Sequence, residues 1–183
     1  MLKAPSLRDL GVQRRFTTLF NEHGIAPERL VYRGPSGLAD MMQEYGELDI
    51  ALDPTPYNGG TTTLQALWMG VPVVSMEGGN FVSRMGASFL RTLKRPEWIA
   101  TDDAQFVAIA LGLAATIDQS RRDRAAYRMA MQNSPLCDIS AYVNDIEQLY
   151  RRMWVEYCHR TGGDIADRVL CLTANNTPLH HQD

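Results

Sequence analysis

Short apolar runs alternate with amphipathic helical patterns along residues 1–100, and this alternation limits the fold more than any other feature of the chain. The runs that are typical of short strands lie at 28–34, 48–54, 72–76 and 97–100. The segments with helical spacing lie at 7–24, 38–46, 62–70 and 83–93. Strands separated by helices predict an α/β fold, a parallel sheet with helices on both faces.

The last third of the sequence is predicted to be helical. Helical patterns lie at 102–115, 119–133 and 139–158, and Thr101 or Asp102 is the predicted N-cap of the first. From Thr161 onward the periodicity ends, so we expect 161–183 to be a flexible tail. A length of 183 residues, 45% of them apolar, is enough for one domain with a sizeable core, which we place at 1–160.

Charge and cysteine content argue against several classes of partner. A net charge of −3 argues against a broad basic surface, so neither nucleic acid nor an anionic membrane is expected as a partner. The sequence has no signal peptide pattern and no apolar stretch of roughly 20 residues, which predicts a cytoplasmic protein. Cys137, Cys158 and Cys171 are odd in number and lack metal-ligand spacing, which fits a reducing compartment and predicts no metal site.

The segment at 57–74, YNGGTTTLQALWMGVPVV, predicts an anion site at the start of a helix. The first N–H groups of a helix have no partner within the helix, and the positive end of the helix dipole lies there. Gly59 and Gly60 have no Cβ atoms to keep a phosphate from the backbone, and Thr61, Thr62 and Thr63 can add hydroxyl donors. The segment also follows a strand, where parallel sheets place their ligands. An ordinary loop with an N-cap is the alternative.

The string from 48 to 76, with SRMGAS at 83–88, WIA at 98–100 and SPLCD at 134–138, resembles the O-linked N-acetylglucosaminyltransferase family, the SPINDLY-like glycosyltransferases. The resemblance is to the C-terminal catalytic half and covers residues 1–158. Its most specific part runs from Asp53 to Pro72. It implies a Rossmann-like parallel sheet with flanking helices, the C-terminal half of a GT-B fold, in which 1–160 bind the nucleotide sugar UDP-GlcNAc.

The resemblance also implies which residues bind the donor. Thr61 and Thr62 match the threonine pair that holds the diphosphate in the family. Gly60 stands where the family has a histidine, and Gln65 stands where it often has an acidic residue that binds the ribose. Met41 falls where the family has a histidine near the uracil, although a core position is the other interpretation of this methionine. The predicted nucleotide-sugar site consists of Asn58, Gly59, Gly60, Thr61, Thr62, Thr63 and Gln65.

The reaction implied by the resemblance transfers N-acetylglucosamine from UDP to a Ser or Thr hydroxyl of an acceptor protein, and it needs no metal or other cofactor. In the family, an N-terminal catalytic half with tetratricopeptide repeats precedes the part that this chain resembles, so no catalytic residue is assigned here. The sequence MLKAP at 1–5 resembles the end of a longer first strand. Most of that strand is expected to be missing, which would leave a neighbouring strand unpaired and favour poor solubility or pairing with another chain.

Two other functions stay open from the sequence. The first is a truncated, non-catalytic module that binds a nucleotide or another protein, which the departures at Met41, Gly60 and Gln65 favour. The second is another GT-B class such as a sugar-nucleotide epimerase, which is expected to lack the Tyr-Asn-Gly and Thr-Thr string.

Further polar residues are weaker candidates. Asp49 and Asp53 bracket a strand and could each act as a general base, although Asp53 also suits a turn before Pro54. Ser83 and Arg84 begin a helix in the next loop, where Arg84 could contact a phosphate or form an ion pair. His23 is predicted to cap a helix end. The remaining basic residues form a predicted solvated helix surface at Arg121, Arg122, Arg124 and Arg128.

Overall fold

The computed structural model describes residues 1–160, and the predicted tail at 161–183 lies outside the described residues. The chain divides into two compact units, Met1–Cys137 and Asp138–Asp183, and each is described by itself. The predicted boundary of the nucleotide-sugar-binding domain at residue 160 stays a prediction.

The first unit contains short strands in two parallel sheets, as the alternation predicted. The strands are β1 (Leu2–Lys3), β2 (Tyr32–Arg33), β3 (Ala51–Asp53), β4 (Val73–Met76) and β5 (Ile99–Ala100). Strand β1 pairs with β2, with Leu2 opposite Tyr32. The other sheet has the order β3-β4-β5, with Leu52 opposite Val74 and Ser75 opposite Ile99. All of these pairs are parallel because a helix separates each strand from the next.

The helices of the first unit agree closely with the helical patterns of the sequence. They are α1 (Leu10–Glu22), α2 (Leu38–Glu44), α3 (Thr61–Trp68), α4 (Met85–Thr92), α5 (Asp103–Ala115) and α6 (Ile117–Gln132). The Asp9 side chain caps α1 by accepting from the N–H groups of Gly11 and Val12, and Asp102 caps α5 by accepting from Gln105. His23 is the C-cap residue of α1, and Gly24 follows with a φ of 76°.

The core lies where α3, α4 and α6 pack beside β4. Strand β4 is buried along its whole length because β3 and β5 flank it and helices cover it. Its neighbours in the core come from three helices and two connecting segments and include Ala66, Leu67, Val71, Leu90, Trp98 and Met131. This packing fixes the position of α3, whose N-terminus is the predicted anion site.

The prediction of a solvated basic surface on α6 holds for Arg121, Arg122 and Arg128, which are exposed, and is wrong for Arg124, whose side chain is only 23% exposed. Arg121 donates from Nε to Asp49 Oδ1 over 2.7 Å, and the guanidinium of Arg128 lies 4.7 Å from the ring centre of Trp68. Arg124 donates to the backbone carbonyls of Tyr45, Gly46 and Leu48. Helix α6 therefore holds the segment between α2 and β3 in place.

The second unit contains α7 (Ile139–Arg160), which agrees with the helical pattern predicted at 139–158. Asp138 caps its first turn, since its carboxylate accepts from the N–H of Ala141 over 2.9 Å. Among the helices at residues 1–160, none combines the length and the apolar character that a membrane crossing requires.

Candidate functional site

At the start of α3, the first backbone N–H groups have no hydrogen-bond partner within the described part of the chain. Strand β3 ends at Asp53, and after a loop the helix begins at Thr61 with Gly60 as the N-cap residue. No side chain among residues 1–160 caps this helix. The first backbone bond that reaches back to the N-cap is the donation from Leu64 N–H to Gly60 O, over 3.1 Å. The N–H groups of Thr61, Thr62 and Thr63 are thus available to an anion.

Gly59 shapes this turn and does not offer its N–H to a ligand. Its N–H donates to Asp53 Oδ1 over 2.6 Å. A Cβ atom at this position would lie 2.6 Å from Thr62 Oγ1 and 2.5 Å from Thr63 Oγ1, which is too close for any side chain. The glycine is therefore needed for the loop to reach the helix. At Gly60, in contrast, a Cβ would be 3.4 Å from the nearest atom, Met85 Cε, so this position has room.

Asn58 lies beneath the loop, and its side chain is 0% exposed. Its Nδ2 donates to the carbonyls of Asp53 and Met76, each over 3.2 Å, and its backbone N–H donates to Val82 O over 3.1 Å. These bonds join the carboxyl ends of β3 and β4. A ligand above the loop does not reach this buried amide, so the contribution of Asn58 in this structure is to hold the loop.

The other predicted donor residues differ in their access to solvent. Thr61 and Thr62 are exposed, Gln65 is half-buried, and Thr63 is 5% exposed. Thr61 and Gln65 are four residues apart and so share a face of α3. The first turn of α3 and Gln65 can therefore contact one ligand.

A cavity of about 430 Å³ lies next to the start of α3. Thr62 is on its wall, together with Lys3, Met41, Glu44, Tyr45 and Leu48. The Tyr45 hydroxyl donates to the backbone carbonyl of Thr62 over 3.1 Å, which connects the end of α2 to α3. Met41 is half-buried at this cavity, whereas a core position was the alternative interpretation. The structure therefore brings Met41 and Thr62 to one cavity.

Sequence reasoning missed Lys3, Glu44 and Tyr45 as residues of this cavity. Lys3 Nζ donates to Glu44 Oε2 over 2.6 Å and to Ser36 Oγ over 2.7 Å, and the hydrogen bond from Lys3 lowers the pKa of Glu44. Helical spacing was the available signal, because residues 41, 44 and 45 fall on one face of α2 and its continuation. Lys3 gave no local signal, since its partners are more than 30 positions away in the sequence.

Neither aspartate that brackets β3 is placed as a general base. Asp53 is 6% exposed, and its two carboxylate oxygens accept from Gly59 N–H and from Ser75 Oγ over 2.6 and 2.9 Å. Burial raises the pKa of Asp53, and the two hydrogen bonds partly oppose that rise. Asp49 is paired with Arg121, whose hydrogen bond lowers the pKa of Asp49. Both carboxylates therefore have structural partners.

In the second loop at the carboxyl edge of the sheet, Ser83 and Arg84 both have partners within the protein. Ser83 is buried in a turn where its N–H donates to Asn80 Oδ1 over 2.9 Å, and α4 begins at Met85 rather than at Ser83. Arg84 lies 3.3 Å from Glu77 Oε1, so the ion pair is the interpretation that the structure supports. Glu77 also pairs with Arg91, whose hydrogen bond is the main reason that the pKa of Glu77 is lowered.

Comparisons with known sequences match most of the first unit to one family. The family described as "Glycosyl transferase family 41" matches residues 6–146. The Solanum lycopersicum protein named "Probable UDP-N-acetylglucosamine--peptide N-acetylglucosaminyltransferase SPINDLY" is 36% identical over 148 residues, which are 80% of this chain and 16% of that protein. A Caenorhabditis elegans protein named "UDP-N-acetylglucosamine--peptide N-acetylglucosaminyltransferase" is 33% identical over 160 residues, which are 87% of this chain and 13% of that protein.

A solved structure similar to this chain is also named as a transferase of the same kind as these sequence relatives. It is titled as a mutant O-GlcNAc transferase of Thermobaculum terrenum, and its TM-score is 0.76 at 34% sequence identity. The match covers 87% of this chain and 31% of that chain. The similarity confirms the predicted fold, a Rossmann-like part of a GT-B enzyme with parallel strands between helices. The chain spans 16% of the length of the tomato relative.

Proposed function

Because this chain belongs to glycosyl transferase family 41, we propose that it is the donor-binding half of a UDP-GlcNAc-dependent protein O-glycosyltransferase. The names of the relatives support both the donor and the peptide acceptor as substrate classes. The observation that carries the proposal is the uncapped start of α3, which lies at the carboxyl end of β3 and next to a cavity. Such a helix end is a ready binding site for the phosphates of a nucleotide sugar.

In the proposed complex, the diphosphate accepts hydrogen bonds from the N–H groups of Thr61, Thr62 and Thr63. The exposed hydroxyls of Thr61 and Thr62 add donors, and Gln65 can bond a ribose hydroxyl on the same face of α3. The cavity beside Met41 and Tyr45 is proposed to take the base. Aligned N–H groups also suit the chemical step, because negative charge grows on UDP as it departs in the transition state.

The rest of the reaction is proposed to use groups beyond this chain. The acceptor is a Ser or Thr hydroxyl of another protein, and the residues for acid–base chemistry are assigned to an N-terminal catalytic half with tetratricopeptide repeats. No residue of this chain is therefore proposed as catalytic. The proposed scheme includes no metal, no nucleic acid and no membrane, and the cytoplasm is the proposed location.

Titration calorimetry with UDP tests the proposal directly. We expect the folded protein to bind UDP and UDP-GlcNAc, to bind UMP more weakly because it lacks the second phosphate, and to bind equally well after EDTA treatment. Thr62→Val keeps the volume of the side chain but loses its hydroxyl donor, so we expect it to weaken binding of UDP. A folded sample that gives no heat with UDP would refute the proposal.

A non-catalytic binding module is the second candidate function. Two residues of the site favour it, since Gly60 and Gln65 replace the side chains that the family has at these positions. An amide binds a ribose hydroxyl without the added strength that a charged carboxylate provides. Binding of UDP-GlcNAc without hydrolysis, and without transfer after an N-terminal half is supplied, would support the module and exclude the enzyme.

A further inference from the structure

Asp53 is the only described side chain that bonds the backbone of the glycine turn before α3. Its carboxylate has two partners with different positions in the fold. One oxygen accepts from Ser75 Oγ on the neighbouring strand β4, and the other accepts from the N–H of Gly59 in the loop. The first bond lies within the sheet. The second reaches the turn that leads into the first N–H groups of α3.

The surroundings of Asp53 leave its carboxylate little freedom to move. It is buried at the end of β3, and the first turn of α4 packs against it at Gly86. A Cβ atom at Gly86 would overlap both Asp53 Oδ2 and Ser75 Oγ. The acceptor for Gly59 N–H is thus held by its own position at the end of β3 and by the packing of α4 against it. A fixed acceptor can determine where the loop lies.

A displacement of Gly59 would be transmitted to α3. A Cβ atom at Gly59 would lie within 2.6 Å of the hydroxyls of both Thr62 and Thr63, so this turn approaches the first turn of α3 closely. Gly60, the N-cap residue, follows immediately, and its carbonyl accepts the first backbone bond of the helix. The direction of the free N–H groups therefore depends on where Gly59 is held.

We propose that Asp53 is a positioning residue for the donor diphosphate, because its bond to Gly59 N–H sets the turn that presents the N–H groups of α3. The inference rests on the proposed binding of a nucleoside diphosphate at this helix. Asp53 does not touch the ligand. It acts through Gly59, while its second bond, to Ser75, supports the sheet.

The two bonds of Asp53 can be separated by three variants, each measured by UDP titration calorimetry and by thermal unfolding. Asp53→Ala removes both bonds, and we expect the Kd for UDP to rise about tenfold or more. Asp53→Asn keeps an acceptor for Gly59 N–H and should bind UDP within about threefold of wild type. Ser75→Ala is the matched control, because it removes only the other bond and should lower Tm with the Kd for UDP unchanged.

Two results would overturn the inference. One is a folded Asp53→Ala protein that binds UDP as tightly as wild type, and the other is an equal loss of affinity in Ser75→Ala. If Asp53→Ala does not fold, amide hydrogen exchange of the wild-type protein decides the question. The Gly59 amide should be protected without UDP, whereas the amides at 61–63 should gain protection only with UDP. An unprotected Gly59 amide would contradict the bond.

Failure of this inference differs from failure of the proposed function. If wild-type protein does not bind UDP at all, the proposed function is wrong, whatever the exchange of the Gly59 amide. If wild-type protein binds UDP and Asp53→Ala binds equally well, only the role of Asp53 is wrong. The wild-type titration therefore comes first.

Discussion

Gly60 is the residue at which the candidate site departs most clearly from the family that the sequence resembles. The departure was visible in the sequence, because a histidine stands at this position in the family's turn. What the sequence could not show is the space around it. In the structure, a Cβ at Gly60 would make only an ordinary contact with Met85 Cε, at 3.4 Å. The space at Gly60 would accept a side chain, so packing does not explain why the histidine is absent. Its absence removes a possible hydrogen-bond donor to the ligand.

We expect Gly60→His to bind UDP-GlcNAc about threefold or more tightly than wild type, since an imidazole can donate a further hydrogen bond to the diphosphate. The gain should be larger near a pH of about 6 than near about 8, because only the imidazolium adds a positive charge. Titration calorimetry at both pH values measures it. Gly79→His, in the next loop where a Cβ would have no atom within 4 Å, is the control and should leave the Kd unchanged. Weaker binding by Gly60→His would contradict the expectation.

Asp53 shows where residue-level reasoning from sequence was incomplete. The pattern Asp-Pro after an apolar run predicted a turn residue or a general base. The structure gives it a third role, a buried acceptor for a loop N–H and for a serine of the neighbouring strand. Ser75 is 22 positions away along the chain. A pattern of neighbouring residues in the sequence cannot reveal the pair of Asp53 and Ser75, because only the register between β3 and β4 brings them together.

At the scale of elements, α6 supports the wall of the candidate cavity through hydrogen bonds to the segment that contains Tyr45. Arg124 donates to the carbonyls of the turn that contains Tyr45, and Tyr45 in turn donates to Thr62 at the start of α3. Helix α6 thereby acts on the site without lining it. The sequence predicted the helix correctly but not this contact, since Arg124 and Tyr45 are 79 positions apart.

Arg124→Met should destabilise the protein by about 1–3 kcal/mol, because it leaves carbonyls of the turn without their charged donor. We also expect weaker binding of UDP, since Tyr45 loses part of its support. Chemical denaturation and UDP titration measure the two effects. Arg122→Met on the same helix is the matched control, because the one partner of Arg122 within residues 1–160 is the exposed side chain of Gln119. Equal stability of the two variants would show that the hydrogen bonds of Arg124 do not support this segment.

The ion pair between Asp49 and Arg121 should make part of the stability depend on pH. Arg121 lowers the pKa of Asp49 below its ordinary value of 3.8, so this stabilisation is present above that value. It is lost as the pH falls through the lowered pKa of the folded state. We therefore expect Asp49→Asn to have a lower Tm than wild type at pH 7, with a difference that shrinks below a pH of about 4.

Asp53 supplies an internal comparison for this pH dependence. Burial raises the pKa of Asp53, so its contribution to stability falls as the pH rises through that raised value. The Tm difference between wild type and Asp53→Asn should thus change with pH in the opposite direction to that of Asp49→Asn. Thermal unfolding from pH 3 to 7 measures both. Two parallel profiles would show that the assigned causes are wrong.

At the scale of the whole molecule, the alternation of strands and helices was enough to predict the class of fold. It did not predict that the described strands form two separate sheets, because strand pairing depends on contacts that periodicity does not encode. Strand β3 is an edge of its sheet among residues 1–160, and Leu52 at its centre is 59% exposed. An unpaired, apolar edge is prone to pair with another chain.

We expect the protein to associate as its concentration rises, and Leu52→Lys to reduce this association because a charge at an edge strand opposes pairing. Size-exclusion chromatography with light scattering measures the mass of both proteins. Val31→Lys is a control with a similarly exposed apolar residue outside the strands. A monodisperse monomer of the wild-type protein at every concentration would contradict the prediction.

The turn between α3 and β4 offers a way to interpret mutational screens of this chain. Gly70 has a φ of 71°, and a Cβ there would collide with the backbone of Arg124 in α6. Backbone cannot swing aside as a flexible side chain can, so every replacement at this position is expected to destabilise the protein strongly. In such a screen, the signal of Gly70 variants can serve as the reference for a destabilised protein. Variants that keep their stability but no longer bind the ligand can then be recognised by comparison with it.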